Sequence, residues 1–115
     1  MATVRDLSGN SPVVTDRDNI KELLATFGAT GVSGSKAFKG EFNVDIDGTF
    51  SGTVVLERSF DNGITWNPAS RDSAGVAAAF TVPASVVADE PEAGVLYRFQ
   101  CTAYTSGSII CRASQ

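Results

Sequence analysis

The sequence contains no histidine, and this absence limits the chemistry that the chain can perform. A Ser-His-Asp triad and a Cys-His pair both use an imidazole as general base, so neither can be assembled here. Two cysteines without histidine also make a weak metal site. We therefore expect no catalytic residue, no metal and no cofactor, and we interpret the chain as non-enzymatic.

Long apolar runs and clustered positive charge are also missing. No stretch approaches the roughly 18 apolar residues of a membrane-spanning helix, and residues 1–6 contain no apolar signal core. We therefore expect neither a membrane partner nor secretion by that route. The net charge is −4, and nucleic-acid affinity depends largely on neutralising phosphates, so we expect no nucleic-acid partner.

Alternation of apolar and polar residues is the main pattern that the chain does contain. It predicts short strands separated by glycine and proline turns, over residues 41–47, 50–60, 76–82, 95–104 and 108–113. The fold class predicted is all-β: an antiparallel β-sandwich of Greek-key or jelly-roll type, with at most one short N-terminal helix.

The inward positions of these strands form the predicted core. Phe60 and Ala103 are expected on the same inner faces as the larger set. That set is Phe42, Val44, Ile46, Val54, Leu56, Trp66, Phe80, Tyr97, Phe99 and Ile109.

The N-terminal third shows a different pattern. In residues 16–27, Ile20, Leu23, Leu24 and Phe27 follow the i, i+3, i+4, i+7 spacing of an amphipathic helix. A strand is the competing interpretation of so short a pattern. We accordingly divide the chain into an arm with a short helix, residues 1–37, and a β-sandwich domain, residues 38–115.

Two N-terminal segments keep alternative interpretations. Residues 1–14 predict either a frayed terminus or an arm that becomes ordered on a neighbouring subunit. The glycine-rich residues 28–40 predict either a flexible connection or an irregular strand with bulges.

A specific motif occurs in the middle of the chain, and its central dipeptide, Asn62-Gly63, predicts a two-residue hairpin turn. We expect residues 64–66 to form the return strand and Trp66 to pack beneath the turn. The motif resembles the Asp-box, the Ser-x-Asp-x-Gly-x-Thr-Trp hairpin of sialidases and other β-rich proteins. The resemblance implies a structural hairpin and not an activity. The matching residues are Ser59, Asp61, Gly63, Thr65 and Trp66.

Cys101 and Cys111 lie on either side of residues 105–107, which predict a three-residue hairpin loop with glycine in the left-handed conformation. On such a hairpin the two cysteines would lie nearly opposite each other and could form a cross-strand disulfide. The lack of a secretion signal favours reduced, buried thiols instead.

Carboxylates cluster at two places. Asp45-x-Asp47-Gly48 lacks the rest of a calcium loop, so we interpret it as the solvated face of a strand. Residues 83–94 contain two prolines together with Asp89, Glu90 and Glu92. We interpret this segment as an exposed, solvated connection between sheets, and not as an acid–base pair.

Residues 38–115 as a whole resemble small virion proteins of tailed bacteriophages, through residues 48–54 (Gly-Thr-Phe-Ser-Gly-Thr-Val), 61–63, 96–98 and 104–107. The resemblance implies a decoration or staple protein that binds the major capsid protein on the capsid exterior. Its location would be the virion, and the host cytoplasm during assembly. We further expect a homodimer or homotrimer.

Two alternative functions remain from the sequence. One is a carbohydrate- or host-surface-binding module, for which Tyr104 and Tyr97 are the candidate aromatic residues. The other is a tail or head–tail joining component.

Overall fold

The computed structural model of the protein describes residues 21–70 and 77–115. These residues form nine strands and no helix, and accordingly no helix among them is long and apolar enough to cross a membrane. The strands are β1 (Glu22–Phe27), β2 (Gly31–Ala37), β3 (Gly40–Asp47), β4 (Phe50–Ser59), β5 (Asn67–Pro68), β6 (Ala79–Phe80), β7 (Ala84–Glu90), β8 (Leu96–Gly107) and β9 (Ile109–Ser114).

The strands form two antiparallel sheets that pack face to face, which confirms the predicted all-β sandwich. Sheet 1 has the strand order β1-β9-β3-β7. Sheet 2 has the order β2-β8-β4-β5, with β6 also paired to β4. Six of the eight connections between these strands therefore pass from one sheet to the other, and those from β4 to β5 and from β5 to β6 stay in sheet 2.

Two neighbouring strands run through both sheets and bend together at one corner. Asp47 of β3 lies opposite Ile110 of β9 in sheet 1. Three residues further on, Phe50 of β4 lies opposite Gly107 of β8 in sheet 2. The pairing therefore continues through the corner in one register. The segment β3–β4 and the segment β8–β9 both pass from one sheet to the other while they remain paired with each other.

Glycine makes this corner sterically feasible. Gly48 and Gly107 have φ values of 99° and 88°, in the left-handed region that side chains disfavour. A Cβ at Gly107 would overlap the carbonyl oxygen of Thr49, and one at Gly48 would overlap that of Ser108. The Ser108 amide donates to the Thr49 carbonyl at 3.0 Å across this close approach.

The interior between the sheets contains nine of the ten predicted core residues, and Trp66 is the exception. Leu56, Phe99 and Ile109, for example, are at most 2% exposed. The core also includes four side chains outside that set of ten, namely Leu23, Phe27, Phe38 and Val95.

The helix predicted over residues 16–27 is wrong where the structure describes it. Residues 22–27 form β1, which pairs with β9 along its whole length. Leu23 and Phe27 are buried and Ala25 is partly buried, whereas Leu24 is 63% exposed, so the inward period is two residues and not 3.6. Pairing with β9 and burial of one face of the strand therefore overrode the helical spacing.

The sandwich consequently begins no later than Glu22, and not at residue 38. Residues 1–20, which include the predicted arm and the start of the predicted helix, lie outside the described residues. Residues 28–40 follow the irregular-strand interpretation, because most of them form β2, whose register with β8 shifts between Val32 and Ser35.

The segment 83–94 was predicted as a connection, and this is wrong for most of its length. Residues 84–90 form β7, which pairs with β3. The strand predicted over 76–82 is reduced to β6, and Val82 is 63% exposed. Residues 71–76 lie outside the described part of the chain.

The prediction for the end of β8 is also wrong in two respects. Ala103 is exposed and not inward, because the register between β4 and β8 shifts twice near it, between Ser51 and Gly52 and between Thr53 and Val54. Residues 105–107 belong to β8 and do not close a hairpin, since β9 lies in the other sheet.

Candidate binding surfaces

The Asp-box residues form one hydrogen-bonded turn. The Ser59 hydroxyl donates to Asp61 Oδ1 at 2.8 Å and accepts from the Gly63 amide at 2.9 Å. Asp61 Oδ1 also accepts from the Thr65 amide at 2.8 Å. The bond from the Thr65 amide, and next the bond from the Ser59 hydroxyl, lower the pKa of Asp61 from 3.8 to about 2.

The turn is longer than the two-residue hairpin that was predicted. β4 ends at Ser59 and β5 begins at Asn67, so residues 60–66, here called the turn loop, connect them, and residues 64–66 are not a strand. Asn62 and Gly63 do have the expected positive φ values, 61° and 89°. The side chains of Ser59 and Asp61 bond the amides that a strand ladder would otherwise pair.

Trp66 packs against the turn, as predicted, but on the outside of sheet 2 and not in the core. Its Nε1 donates to the Gly63 carbonyl at 3.0 Å. The Arg98 guanidinium lies 4.3 Å from the ring centroid and donates through Nε to Glu57 at 2.8 Å. The indole therefore fastens the turn loop to the outer face of sheet 2 through a cation–π contact and an ion pair.

The turn loop presents two large apolar side chains to solvent. Ile64 is 83% exposed, and Phe60 is 56% exposed with the Arg58 guanidinium 4.6 Å from its ring centroid. The inward position predicted for Phe60 is wrong, because the chain leaves the sheet at Ser59.

The outer face of sheet 1 combines acidic and apolar side chains. Asp45 and Asp47 lie on this face of β3. This agrees with their interpretation as part of the solvated face of a strand. The described part of the chain holds no group of three histidine, cysteine or acidic residues that could bind a metal. The exposed apolar side chains of this face are Leu24 (63%), Val87 (65%) and Ile110 (46%).

Glu90 is a buried charged residue that the sequence interpretation missed. It was predicted to be solvated but is 1% exposed. It accepts hydrogen bonds from the Tyr97 hydroxyl at 2.7 Å and the Glu92 amide at 3.1 Å, and it pairs with Arg58 at 3.1 Å. Burial, and next the bond to Glu90, raise the pKa of Tyr97.

Three donors around one buried carboxylate form a structural anchor between β4, β7 and β8. A signal for it was present in the sequence. The alternation that turns Ala84, Val86 and Ala88 inward along β7 also turns Glu90 inward.

The two cysteines are buried and free, but they are not cross-strand neighbours. Cys101 lies opposite Val54 in sheet 2, and Cys111 lies opposite Ile46 in sheet 1. Burial, with a smaller contribution from Cys101, raises the pKa of Cys111 to about 12. Both side chains therefore act as small apolar parts of the core.

The aromatic residues proposed for carbohydrate contact do not form an open platform. Tyr97 is buried in the core, stacked edge-on against Phe42. Tyr104 is half-buried, and its hydroxyl donates to the Gly107 carbonyl at 2.8 Å.

The structure thus brings the five Asp-box residues together and places the two cysteines in different sheets. Five exposed apolar side chains lie on the turn loop (Phe60 and Ile64) and on the outer face of sheet 1 (Leu24, Val87 and Ile110). Comparison of the chain with protein-family models, with curated proteins and with solved structures finds no match.

Proposed function

We propose that the protein is a non-enzymatic structural component of a bacteriophage virion. It decorates and stabilises the capsid by binding the outer surface of the shell formed by the major capsid protein. The resemblance of residues 38–115 to small virion proteins supports this choice of partner. The turn loop, with Ile64 and Phe60 exposed on a hydrogen-bonded backbone, supports binding without chemistry and is the observation that carries the proposal.

A fixed, apolar loop suits this function for energetic reasons. Burying one fully exposed Ile or Phe side chain contributes about 1.5–3 kcal/mol. Because hydrogen bonds already order the turn loop, little of this gain is lost to ordering on binding. The binding free energy of each single contact is modest. Because the shell offers many equivalent sites, linked subunits can bind several of them at once, and the overall affinity rises.

The test is binding of the full chain to purified capsids of the phage that encodes it, after the bound copies have been removed. We expect the protein to co-sediment with these capsids and Ile64→Ser to weaken binding by about tenfold, the equivalent of about 1.4 kcal/mol. Val82→Ser is the matched control, since Val82 is 63% exposed but lies outside the turn loop.

Four outcomes would contradict the proposal. Wild-type protein that remains in the supernatant would exclude capsid binding, and an Ile64→Ser variant that binds normally would exclude the turn loop. Cryo-EM that locates the protein in the tail or at the head–tail junction would favour the joining component. Saturable binding on a glycan array, without capsid binding, would favour the carbohydrate module.

A further inference from the structure

The edge strands of the two sheets differ in how they discourage pairing with other chains. In sheet 2, β2 has a register shift between Val32 and Ser35 and carries Lys36, both of which are common protections of a sheet edge. At the opposite side of sheet 2, β5 and β6 have only two residues each.

The edge strand β7 of sheet 1 has none of these protections. It pairs with β3 in one unbroken register, from Ala84 opposite Ile46 to Glu90 opposite Gly40. Its seven residues, Ala-Ser-Val-Val-Ala-Asp-Glu, include neither lysine nor proline. Within residues 21–70 and 77–115, no strand pairs with its other edge.

β7 also offers apolar side chains on both faces. Val87 is 65% exposed on the outer face. On the inner face Ala84, Val86 and Ala88 are only partly buried at the margin of the core. A regular edge with free backbone groups and apolar side chains on both faces is a template for strand addition.

The order of charges along β7 suits a second copy of the same strand. Its carboxylates, Asp89 and Glu90, both lie at its C-terminal end. In an antiparallel pair centred on Val87, each Val87 faces its counterpart and each Asp89 faces Ser85 of the other copy. A parallel pair would place each Asp89 beside its counterpart, which is unfavourable.

β1 is the other long, regular edge of sheet 1, but its surroundings are different. Only Lys21 separates β1 from residues 1–20, which lie outside the described residues. β7 is flanked on both sides by residues that the structure describes.

We propose that two copies of this protein associate through their β7 strands, paired antiparallel about a two-fold axis at Val87. The two copies of sheet 1 then form one continuous sheet of eight strands, four from each copy. The interface is isologous, so that it closes after two subunits. The dimer is independent of the capsid partner, and it would present two turn loops to any surface.

Sedimentation equilibrium of the full chain across the micromolar range tests the dimer. We expect a reversible dimer, and we expect Val87→Lys to raise its Kd by about tenfold or more, because two like charges then face each other across the axis. Val32→Lys is the matched control, since Val32 is 53% exposed on the edge strand β2, and it should leave Kd unchanged.

A second variant tests the register and does not depend on weakening the interface. Ser85→Lys places an ammonium group opposite Asp89 of the other copy, so Kd should fall several-fold at low salt. The gain should disappear at high salt and in Ser85→Lys/Asp89→Asn.

Each contrary result overturns a stated part of the proposal. A wild-type monomer throughout the range, or a dimer that Val32→Lys weakens as much as Val87→Lys, would overturn the β7 interface. A dimer that Ser85→Lys does not tighten would overturn the register. If the outward-facing β7 amides are strongly protected from hydrogen exchange even at protein concentrations where the chain is monomeric, another part of the same chain covers the edge.

Discussion

Two carboxylates, one exposed to solvent and one buried in the interior, stabilise this fold. Asp61 is exposed, and its value to the turn comes from directed bonds to the Thr65 amide and the Ser59 hydroxyl. Glu90 is 1% exposed, and its charge is tolerable inside because Arg58 and Tyr97 compensate for the lost hydration. The two sites therefore respond differently to substitution.

Replacing Asp61 should destabilise the protein in a pH-dependent way. The folded-state pKa of Asp61 is about 2 against an ordinary 3.8, so the carboxylate's contribution is present above pH 3.8 and is lost as the pH falls through 2. We expect Asp61→Asn to be less stable than wild type at neutral pH and the difference to shrink between pH 4 and pH 2.

Urea denaturation followed by Trp66 fluorescence at a series of pH values measures this difference. Asp47→Asn removes an exposed negative charge outside the turn and serves as the control. A wild-type advantage over Asp61→Asn that stays constant down to pH 2 would show that the ionised carboxylate is not the stabilising group.

Removing the Tyr97 hydroxyl should weaken the anchor around Glu90. Tyr97→Phe leaves the buried carboxylate with one donor fewer, and we expect a loss of about 1–3 kcal/mol in the free energy of unfolding. Tyr104→Phe removes a hydroxyl of the same kind whose bond to Gly107 is exposed, and it should cost less than about 0.5 kcal/mol. Equal losses in the two variants would contradict a structural function for the Glu90 anchor.

At the scale of elements, the shared corner is the feature that joins the two sheets. β3 continues into β4, and β8 into β9, through a close backbone contact between residues 48–49 and 107–108. Gly107 was expected in the left-handed conformation, which is confirmed by its φ of 88°. It turns the chain between sheets, however, and does not close a hairpin.

Alanine at Gly107 should therefore be more harmful than alanine at another left-handed glycine. Gly94 has a φ of 86° and open space where a Cβ would lie, so Gly94→Ala should cost only the conformational penalty of about 1–2 kcal/mol. Gly107→Ala adds an overlap with Thr49, and we expect a total of about 3 kcal/mol or more. Chemical denaturation of both variants measures the two costs, and similar values would mean that the corner can relax.

At the scale of the whole molecule, the sheets share two long strands and should not unfold separately. Residues 40–59 and 96–114 each contribute to both sheets. Separating the sheets would require breaking both strands at the corner, so a single transition is expected.

Two probes in different sheets can test this cooperativity. In a Cys101→Ala variant, Cys111 is the remaining thiol and reports on sheet 1, while Trp66 fluorescence reports on sheet 2. We expect thiol labelling and fluorescence to give the same denaturant midpoint. Clearly separated midpoints would show that one sheet opens before the other.

Sequence patterns predicted the inward-facing residues correctly where the alternation within one strand is regular. The alternation in β3 and in the first half of β8 correctly predicted Phe42, Val44, Tyr97 and Phe99 as inward residues. The patterns gave the wrong secondary structure where pairing with a distant strand determines it. Leu23 and Leu24 have helical spacing, but pairing with β9 makes them a buried and an exposed residue of one strand.

The turn loop likewise combines features that local sequence predicts with features that depend on distant residues. The five Asp-box residues predicted the position of the turn but not its length, since all its side-chain bonds lie within eight residues while its return strand, β5, begins only at Asn67. Local sequence did not predict that Trp66 would lie outside sheet 2, because its place depends on Arg98, which is distant along the chain.

The sequence by itself determined the all-β class, most of the core and the position of the Asp-box turn, because period-two alternation and turn chemistry act over a few neighbouring residues. The tertiary structure alone decided that residues 22–37 join the sheets, that Glu90 is buried, that the cysteines lie in different sheets and that β7 is an open edge. Each of these depends on which strands become neighbours, and that choice is made by burial and pairing between segments far apart in the chain.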